Sequence, residues 1–495
     1  MQVLRPILRR LLTAPLSVRA IDDQRSWRGV DLYVAALHLA RELERVSDRP
    51  RVGFMLPTSG LCPVAIIAGW LLGRTVVPLN YLLKPDDLAY VLADAEVDAV
   101  VTVGPMLEHF GDLPEGVRAV KLDEMRFGGV PPLRRMPRRA DDHLAVLLYT
   151  SGTSGRPKGV MLTSGNLAAN VQQCIEFAGF SRQDRLLGVL PQFHSFGLTV
   201  LTLLPLTSGS LVVYTARFLP KRILNLLKKH RPTAVIAIPS MYNALLSAKS
   251  AEREHFESLK WVVSGGEPLP AAVFEGFRER FGVTINEGYG LTETAPVTNW
   301  CRPEDHRLRS VGPPLPRVDE KVVDAEGREL ATGEEGEICI KGPNVMPGYF
   351  NLPEETARVF DTDGYFRTGD MGRFDGDRHL FITGRIKEML IIGGENVFPR
   401  EIEEALIRHP SVHDAAVIGV ADESRGEVPL AFVELEEGAA FDEAALRAHC
   451  REHIAQYKVP REIRPIEALP RNPTGKILRR ELSVDTAATV PDAGA

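Results

Sequence analysis

Residues 149–163 read YTSGTSGRPKGVMLT, a glycine- and hydroxyl-rich stretch with one lysine between two apolar runs. Its glycines let the backbone approach a ligand without a Cβ in the way. Successive backbone N–H groups in such a turn form a concavity for anions, and the hydroxyls and Lys158 add donors. Neither a Walker A pattern nor a G-x-G-x-x-G fingerprint aligns with it. The stretch favours a polyphosphate ligand, although a solvated surface loop would also fit it when it is taken alone.

The segments on either side of this stretch alternate between strand and helix patterns. The apolar run AVLLY (145–149) leads into the glycine-rich stretch, and WVV (261–263) leads in the same way into SGGEPLP and a helical pattern. This alternation is typical of parallel sheets with helices on both faces. Ligands of such sheets bind beyond the carboxyl ends of the strands. The predicted fold class is therefore α/β.

After about residue 311 the pattern changes to strands and turns, which predicts a β-rich subdomain. A small α+β unit follows, with a boundary near residues 384–387. The predicted organisation is a large N-terminal domain of parallel-sheet βα layers plus this subdomain (1–384) and a small C-terminal domain (388–482). Residues 483–495 lack apolar periodicity and are predicted to be a disordered tail.

Composition narrows the class of protein. A chain of 495 residues is too long for one compact core, and its net charge of -6 provides no overall attraction to nucleic acid. The five cysteines are scattered without a CxxC pair, which favours a reducing cytoplasm over a disulfide framework or a zinc site. We therefore expect a cytoplasmic protein without a nucleic-acid partner.

Two segments raise the question of membrane contact. Near the N-terminus, apolar residues at helical spacing alternate with arginines, which favours a surface helix that docks on the core and allows at most peripheral membrane contact. The members of this apolar set are Leu4, Ile7, Leu8, Leu11 and Leu12. Residues 195–216 carry no charge, but Pro205 and the TSGS turn interrupt them, so no spanning segment is predicted.

Seven motifs together make the sequence resemble the acyl-adenylate-forming superfamily over residues 26–482. This superfamily includes acyl-CoA synthetases, luciferases and the adenylation domains of peptide synthetases, and the chain is most similar to bacterial fatty acyl-CoA synthetases. The motifs, in the family's order, are YTSGTSGRPKG (149–159), LPQFHSFG (190–197), SGGEPL (264–269), NEGYGLTE (286–293), YFRTGD (365–370), ITGRIKEMLIIGGENVFPREIE (382–403) and PRNPTGKILRR (470–480).

The resemblance implies a two-step reaction and a mobile C-terminal domain. A carboxylate attacks the α-phosphorus of ATP to form acyl-AMP and pyrophosphate, and a thiol then attacks the activated carbonyl and expels AMP. The implied cofactors are ATP, Mg²⁺ and CoA. A hinge at residues 385–387 would let the small domain rotate between the two steps.

The resemblance also assigns residues to the nucleotide. One set of residues would bind the phosphates, and a second set would bind the adenine and the ribose. In the phosphate set, Ser154 stands where the family usually has Thr, and it keeps the hydroxyl. The first set is Thr150, Ser151, Gly152, Thr153, Ser154, Gly155 and Lys158. The second set is Gly265, Gly266, Glu267, Asn286, Gly288, Tyr289 and Gly290 around adenine, with Asp370 and Arg385 at the ribose.

Four further residues are assigned to catalysis by the resemblance. Glu293 would hold Mg²⁺, with Thr292 beside it on phosphate. Lys476 would place positive charge where negative charge builds up in the transition state. His194 would gate or orient the acyl group, since a carboxylate substrate needs no base at pH 7. The hinge and the path of CoA are assigned to Lys387, Gly393, Gly394, Glu395 and Asn396.

The candidate acyl-pocket segments (196–206, 235–246 and 294–299) contain no Lys, Arg, Asp or Glu. This favours a medium- or long-chain fatty acid, and an aryl acid stays open because it also needs an apolar slot. His194 stands where an amino-acid-activating domain would carry an acidic residue, so amino acids are disfavoured. Acyl carrier protein as the acceptor and a homodimer also stay open. A non-catalytic binding protein is disfavoured, because Lys476, Glu293 and Asp370 are all present.

Overall fold

The computed structural model describes residues 1–150, 156–393, 395–422, 425–471 and 477–486. Its strands, in chain order, are β1 (Val18–Ile21), β2 (Ser26–Arg28), β3 (Arg51–Phe54), β4 (Thr75–Pro78), β5 (Ala99–Thr102), β6 (Arg118–Lys121), β7 (Leu144–Thr150), β8 (Lys158–Thr163), β9 (Arg185–Gly188), β10 (Leu211–Tyr214), β11 (Ala234–Ala237), β12 (Trp261–Ser264), β13 (Asn286–Gly290), β14 (Val297–Trp300), β15 (Asp319–Val323), β16 (Gly336–Lys341), β17 (Phe366–Phe374), β18 (Leu380–Arg385), β19 (Leu390–Ile392), β20 (Glu395–Val397), β21 (Val412–Asp422), β22 (Gly426–Leu435) and β23 (Glu462–Pro465).

The α-helices of the same ranges follow most of the parallel strands. They are α1 (Leu4–Thr13), α2 (Gly29–Val46), α3 (Leu61–Leu71), α4 (Pro85–Asp94), α5 (Gly104–Phe110), α6 (Ser164–Ala178), α7 (Ser195–Leu198), α8 (Leu204–Ser208), α9 (Pro220–His230), α10 (Pro239–Ser247), α11 (Ala271–Phe281), α12 (Pro353–Arg358), α13 (Pro399–Ile407) and α14 (Glu443–His453).

Two largely parallel sheets form the N-terminal domain. One has the order β6-β5-β3-β4-β7-β8 and the other the order β14-β13-β12-β11-β9-β10-β1-β2. Only the pairs β7–β8, β13–β14 and β1–β2 are antiparallel. The central strands are apolar on both faces, as sheets covered by helices on both sides require. The predicted α/β class is confirmed.

Two antiparallel-rich sheets complete the chain. The order β15-β16-β17-β18 forms the predicted β-rich subdomain. The sheet β20-β19-β22-β21, with β23 parallel to β22, packs against α13 and α14 as the small α+β domain. The proposed hinge, residues 385–387, falls between the end of β18 at Arg385 and the start of β19 at Leu390.

The N-terminal helix α1 docks on the core through Leu4, Ile7, Leu8 and Leu11, as its apolar spacing predicts. Leu12 belongs to the same predicted set but is 53% exposed, so its assignment to the docking face is wrong. A residue adjacent to Leu11 is rotated by about 100° around a helix with 3.6 residues per turn, which carries Leu12 off that face. Within the described ranges, no helix is both long and apolar enough to cross a bilayer.

Candidate active site

The glycine-rich opening stretch joins two antiparallel strands. Thr150 at the end of β7 pairs with Lys158 at the start of β8, so both ends of the intervening loop are held in the sheet. Helix α6 follows at once, because the Thr163 hydroxyl accepts from Asn166 N at 3.0 Å and satisfies a free amide of the first helical turn. Lys158 is thereby placed on a rigid strand rather than on the loop.

The predicted adenine residues lie after β12 and along β13, which begins at Asn286 and ends at Gly290. Gly265 and Gly266 follow β12 directly, and a Cβ on Gly265 would lie 3.1 Å from the Phe196 ring. Ser264 Oγ and Asn286 Oδ1 are buried, and neither has a hydrogen-bond partner in the described part of the chain. Buried polar groups without partners are rare in native proteins. The site therefore offers polar groups that suit a nucleobase edge.

The predicted ribose residues form one connected group. Arg385 faces Asp370 across β17 and β18, and its Nε lies 2.9 Å from Asp370 Oδ1. The Tyr289 hydroxyl donates to Asp370 Oδ2 at 2.5 Å. Burial, together with the Asp370 charge, raises the pKa of Tyr289 well above its usual value. A carboxylate offers about four lone-pair sites, which is the acceptor chemistry that ribose hydroxyls require.

Glu293 and Thr292, assigned to the metal and the phosphates, closely follow β13 and its predicted adenine residues. Burial raises the pKa of Glu293, whose Oε1 accepts from the Tyr349 hydroxyl at 2.9 Å. Thr292 Oγ1 is 3.2 Å from Ser195 Oγ. No group of three or more metal-ligating side chains gathers within the described residues. One carboxylate beside a phosphate site fits Mg²⁺, which keeps water and substrate oxygens as its other ligands.

Two residues that were not predicted from the sequence, Tyr349 and Glu355, contact Glu293 and Lys158. Lys158 Nζ donates to Glu355 Oε2 at 2.6 Å and lies 5.5 Å from the centre of the Tyr349 ring. The Tyr349 hydroxyl in turn donates to Glu293. Both residues belong to the stretch GPNVMPGYFNLPEET (342–356), which contains no local signal that these side chains turn toward residues 56 and 197 positions away.

An apolar cavity of about 70 Å³ is lined in part by the residues predicted to bind adenine and in part by the predicted acyl-pocket segments. All three predicted acyl-pocket segments contribute to its wall, and no Lys, Arg, Asp or Glu is among its lining residues. Trp300, 2% exposed, forms part of that wall and packs against Phe177, Phe180 and Trp261. The lining residues are His194, Ser195, Phe196, Val200, Ile236, Val263, Gly265, Gly266, Gly288, Tyr289, Gly290, Leu291, Thr292, Pro296, Val297 and Trp300.

His194 is the exposed polar residue at the mouth of this cavity. It precedes α7, and its Nδ1 accepts from Phe196 N at 3.4 Å. A side chain that is exposed and also lines the cavity is placed to meet an entering substrate. This position suits the gating or orienting role expected for His194.

The predicted CoA residues lie in the C-terminal domain. Gly393 has φ +62° at the bend between β19 and β20, and Glu395 and Asn396 are exposed on β20. Lys387 is exposed in the single helical turn between β18 and β19. None of these residues is among those that line the acyl cavity. The structure therefore brings predicted nucleotide and acyl residues to one cavity, whereas Lys387, Gly393, Glu395 and Asn396 are not among its lining residues.

Arg471, in the segment before Lys476, forms ion pairs within the C-terminal domain. Its partners are Asp414 and Glu434. Burial opposes the charge of Arg471, but the carboxylates of Asp414, Glu434 and Glu267 together raise its pKa. The predicted residues Ser151, Gly152, Thr153, Ser154, Gly155, Gly394 and Lys476 lie outside the described residues.

Comparison with known proteins gives concordant matches over nearly the whole chain. Residues 10–350 match the AMP-binding enzyme family, and residues 401–476 match the AMP-binding enzyme C-terminal domain. A long-chain-fatty-acid–CoA ligase of Bacillus subtilis is 34% identical over 91% of this chain and 89% of that protein. A feruloyl-CoA synthase of an Amycolatopsis species is 35% identical over 90% of this chain and 91% of that protein.

A solved structure agrees in fold. The o-succinylbenzoate CoA synthetase of Bacillus subtilis, in complex with ATP and a magnesium ion, superposes with a TM-score of 0.85 at 30% identity over 96% of this chain and 98% of that chain. ATP, Mg²⁺ and CoA, the predicted cofactors, are thus confirmed for the family, whereas the acids of these relatives differ. The chain therefore belongs to the AMP-binding enzyme family, with the C-terminal domain of that family, and to its acid–CoA ligases.

Proposed function

We propose that this enzyme activates an apolar carboxylic acid, a medium-chain fatty acid in the first place, as acyl-AMP and transfers it to CoA. The observation that carries the proposal is the apolar cavity lined by Phe196, Trp300 and Thr292, which opens directly beside the nucleotide residues. An acid held there has its carboxylate next to Thr292 and its tail among apolar side chains. Amino acids would find no acidic partner in this lining.

In the proposed first step, the chain's own residues hold ATP in place. Asp370, fixed by Arg385 and Tyr289, accepts from the ribose hydroxyls. Lys158 exchanges its ion pair with Glu355 for the phosphates, and Glu293, oriented by Tyr349, is the ligand offered to the metal. Bound Mg²⁺ would neutralise the charge of the leaving pyrophosphate.

Lys476 would complete the first step. Its charge would stabilise the negative charge that builds up as the carboxylate attacks the α-phosphate. Rotation at residues 385–387 would then bring the β19–β20 bend, with Gly393 and the assigned Gly394, to the thiol's path.

The size of the cavity supports an acid of moderate length. Its volume of about 70 Å³ leaves room for roughly five to seven water-sized groups at about 10–15 Å³ each. The Trp300 side chain has little room to move away from the cavity, because Phe177, Phe180 and Trp261 pack against it. The wild-type enzyme should use octanoate better than acetate, because each buried methylene contributes about 0.8 kcal/mol, roughly fourfold in the specificity constant. Palmitate should gain nothing further.

Trp300→Leu should lengthen the preferred acid. The smaller side chain opens the wall, so kcat/KM for acids two to four carbons longer should rise by roughly fourfold for each methylene that becomes buried. Phe256→Leu is the matched control, because Phe256 is a buried aromatic residue of the same domain that packs against Phe277 and Phe281 and does not line the cavity. Acyl-CoA formation across saturated acids measures the effect. An unchanged chain-length profile in Trp300→Leu would remove Trp300 from the pocket wall.

An aryl acid is the second candidate, and one observation favours it. The indole Nε1 of Trp300 is buried and has no acceptor among the described residues, so a substrate with a distal hydroxyl would satisfy it. The similarity to a feruloyl-CoA synthase points the same way. Trp300→Phe keeps the ring but removes the donor, and it should slow a hydroxycinnamate selectively only if this second candidate is correct.

The proposed function is tested by acyl-CoA formation with ATP, CoA and a panel of acetate, octanoate, palmitate, a hydroxycinnamate and an amino acid. The proposal predicts the highest specificity constant for octanoate. A maximum at the hydroxycinnamate would establish the second candidate instead. A maximum at acetate or at the amino acid would contradict both.

A further inference from the structure

A second cavity, of about 430 Å³, lies on the N-terminal domain between α1, α6 and α8. It shares no lining residue with the acyl cavity. Arg9 and Arg10 of α1, Arg182 after α6, and Thr207 in α8 are part of its wall. We propose that this cavity is a binding site for a small, freely diffusing phosphate-bearing anion.

The charge of the wall is strongly one-sided. Three arginines line the cavity and no Asp or Glu does. Within the described ranges, none of Arg9, Arg10 and Arg182 lies in an ion pair with a carboxylate. Arginines elsewhere in the described chain do have such partners, for example Arg307 with Asp375 and Arg479 with Glu403. An anion held in the cavity would supply the negative charge that the arginines of its wall have no carboxylate to provide.

A fourth arginine stands behind the wall and is almost completely buried. Arg19 is 5% exposed; its Nη1 donates to Gly209 O at 2.7 Å and its Nη2 to Arg10 O at 3.3 Å. Its Nε has no acceptor within the described residues. Burial, and after it the charges of Arg10 and Arg182, lower the pKa of Arg19. The positive charges of Arg19, Arg10 and Arg182 therefore lie close together, and none of the three forms an ion pair with a carboxylate of the described chain.

The arginines converge on one turn. A Cβ built on Gly209, whose φ is +83°, would lie 3.1 Å from Arg182 Cγ, 3.3 Å from Arg19 Nη1 and 3.5 Å from Arg10 Cδ. Glycine at this position lets the backbone turn in the left-handed region while three cationic side chains pass close to it. The convergence follows from the fold, since α1 and the α8–β10 turn are far apart in sequence.

The donors of the wall match a phosphate group. Arg10 Nε donates to Thr207 O at 3.2 Å, and Thr207 Oγ1 is buried without a partner in the described chain. Guanidinium groups bind phosphate oxygens through parallel N–H donors, and a free hydroxyl adds another. A phosphate carries enough oxygens and charge for several such donors, whereas a single carboxylate would leave most of them unused. The volume of the cavity suits a small molecule rather than a flat surface contact.

Titration of inorganic phosphate into the full-length enzyme, followed by calorimetry, tests the site. The variant is Arg9→Gln with Arg182→Gln, and the matched control is Arg49→Gln, an exposed arginine outside the cavity. Wild type and control should bind phosphate equally, and the double variant should bind at least about tenfold more weakly, because it lacks two charge-assisted contacts. Binding should also weaken as salt is raised. Retained pyrophosphate release by the double variant shows that it is folded.

A second arm separates a free anion from a lipid headgroup. Sedimentation with phosphatidylglycerol vesicles, and with phosphatidylcholine vesicles as the neutral reference, reports headgroup binding. The proposal predicts phosphate binding that depends on Arg9 and Arg182, without arginine-dependent sedimentation. It is overturned if the double variant binds phosphate as wild type does, if wild type binds no phosphate, or if only the anionic vesicles respond to the substitutions.

Discussion

Lys476→Ala is expected to slow acyl-AMP formation by about a hundredfold to a thousandfold, the usual loss when a transition-state donor is removed. Thioester formation from ready-made acyl-AMP should proceed at the wild-type rate, because the proposed rotation moves the segment carrying Lys476 out of the site for that step. Pyrophosphate release measures the first step, and acyl-CoA formation from synthetic acyl-AMP measures the second.

The control for this variant is Lys260→Ala. The Lys260 side chain is 66% exposed and meets Asp184 only at 4.0 Å, so its removal should leave both steps unchanged. If Lys476→Ala slows both steps equally, Lys476 does not act in acyl-AMP formation alone. The proposed rotation of the C-terminal domain then does not apply to this chain.

Asp370→Asn is expected to raise the KM for ATP by about thirtyfold or more, with little change in the KM for the acid. Asp370 is almost fully buried and binds both Arg385 and Tyr289, so the substitution removes the carboxylate that this group is built around. Disrupting a buried, hydrogen-bonded charge pair costs about 2–5 kcal/mol. Half of the Arg385 side chain is exposed, which places the expected loss at the lower end of that range.

Asp375→Asn separates this effect from a general loss of stability. Asp375 directly follows the strand that carries Asp370 and pairs with Arg307, which precedes β15. Its replacement should lower the melting temperature without a selective change in the KM for ATP. Equal KM values for ATP in Asp370→Asn and wild type would show that Asp370 does not hold the ribose.

The parts of the fold that could be predicted are those with a local cause. WVVSGG predicts a buried strand that ends in a turn, and the structure has β12 followed by Gly265 and Gly266. The same reasoning places β13 and its glycines beside them, because parallel strands bring their carboxyl ends to one edge. Adjacent strands and their turns thus reveal where the nucleotide residues gather.

The parts that could not be predicted depend on side chains that meet across long sequence distances. The sequence shows Tyr349 and Glu355 only as polar residues at or near a short helix. Their contacts with Glu293 and Lys158 arise because residues 348–350, just before that helix, pair with β8. The arginine cavity likewise depends on contacts between distant parts of the chain, since Arg10, Arg19 and Arg182 belong to three separate segments. The residue pattern of any one of these segments does not indicate that the other two lie next to it.

Pyrophosphate–ATP exchange shows whether this chain joins acid and ATP as acyl-AMP before any thiol takes part. The measurement uses labelled pyrophosphate, ATP, Mg²⁺ and octanoate, with CoA omitted. We expect rapid exchange of pyrophosphate into ATP that requires the acid and is lost in Lys476→Ala. Exchange that is absent with every acid of the panel, or ADP as the product, would contradict it.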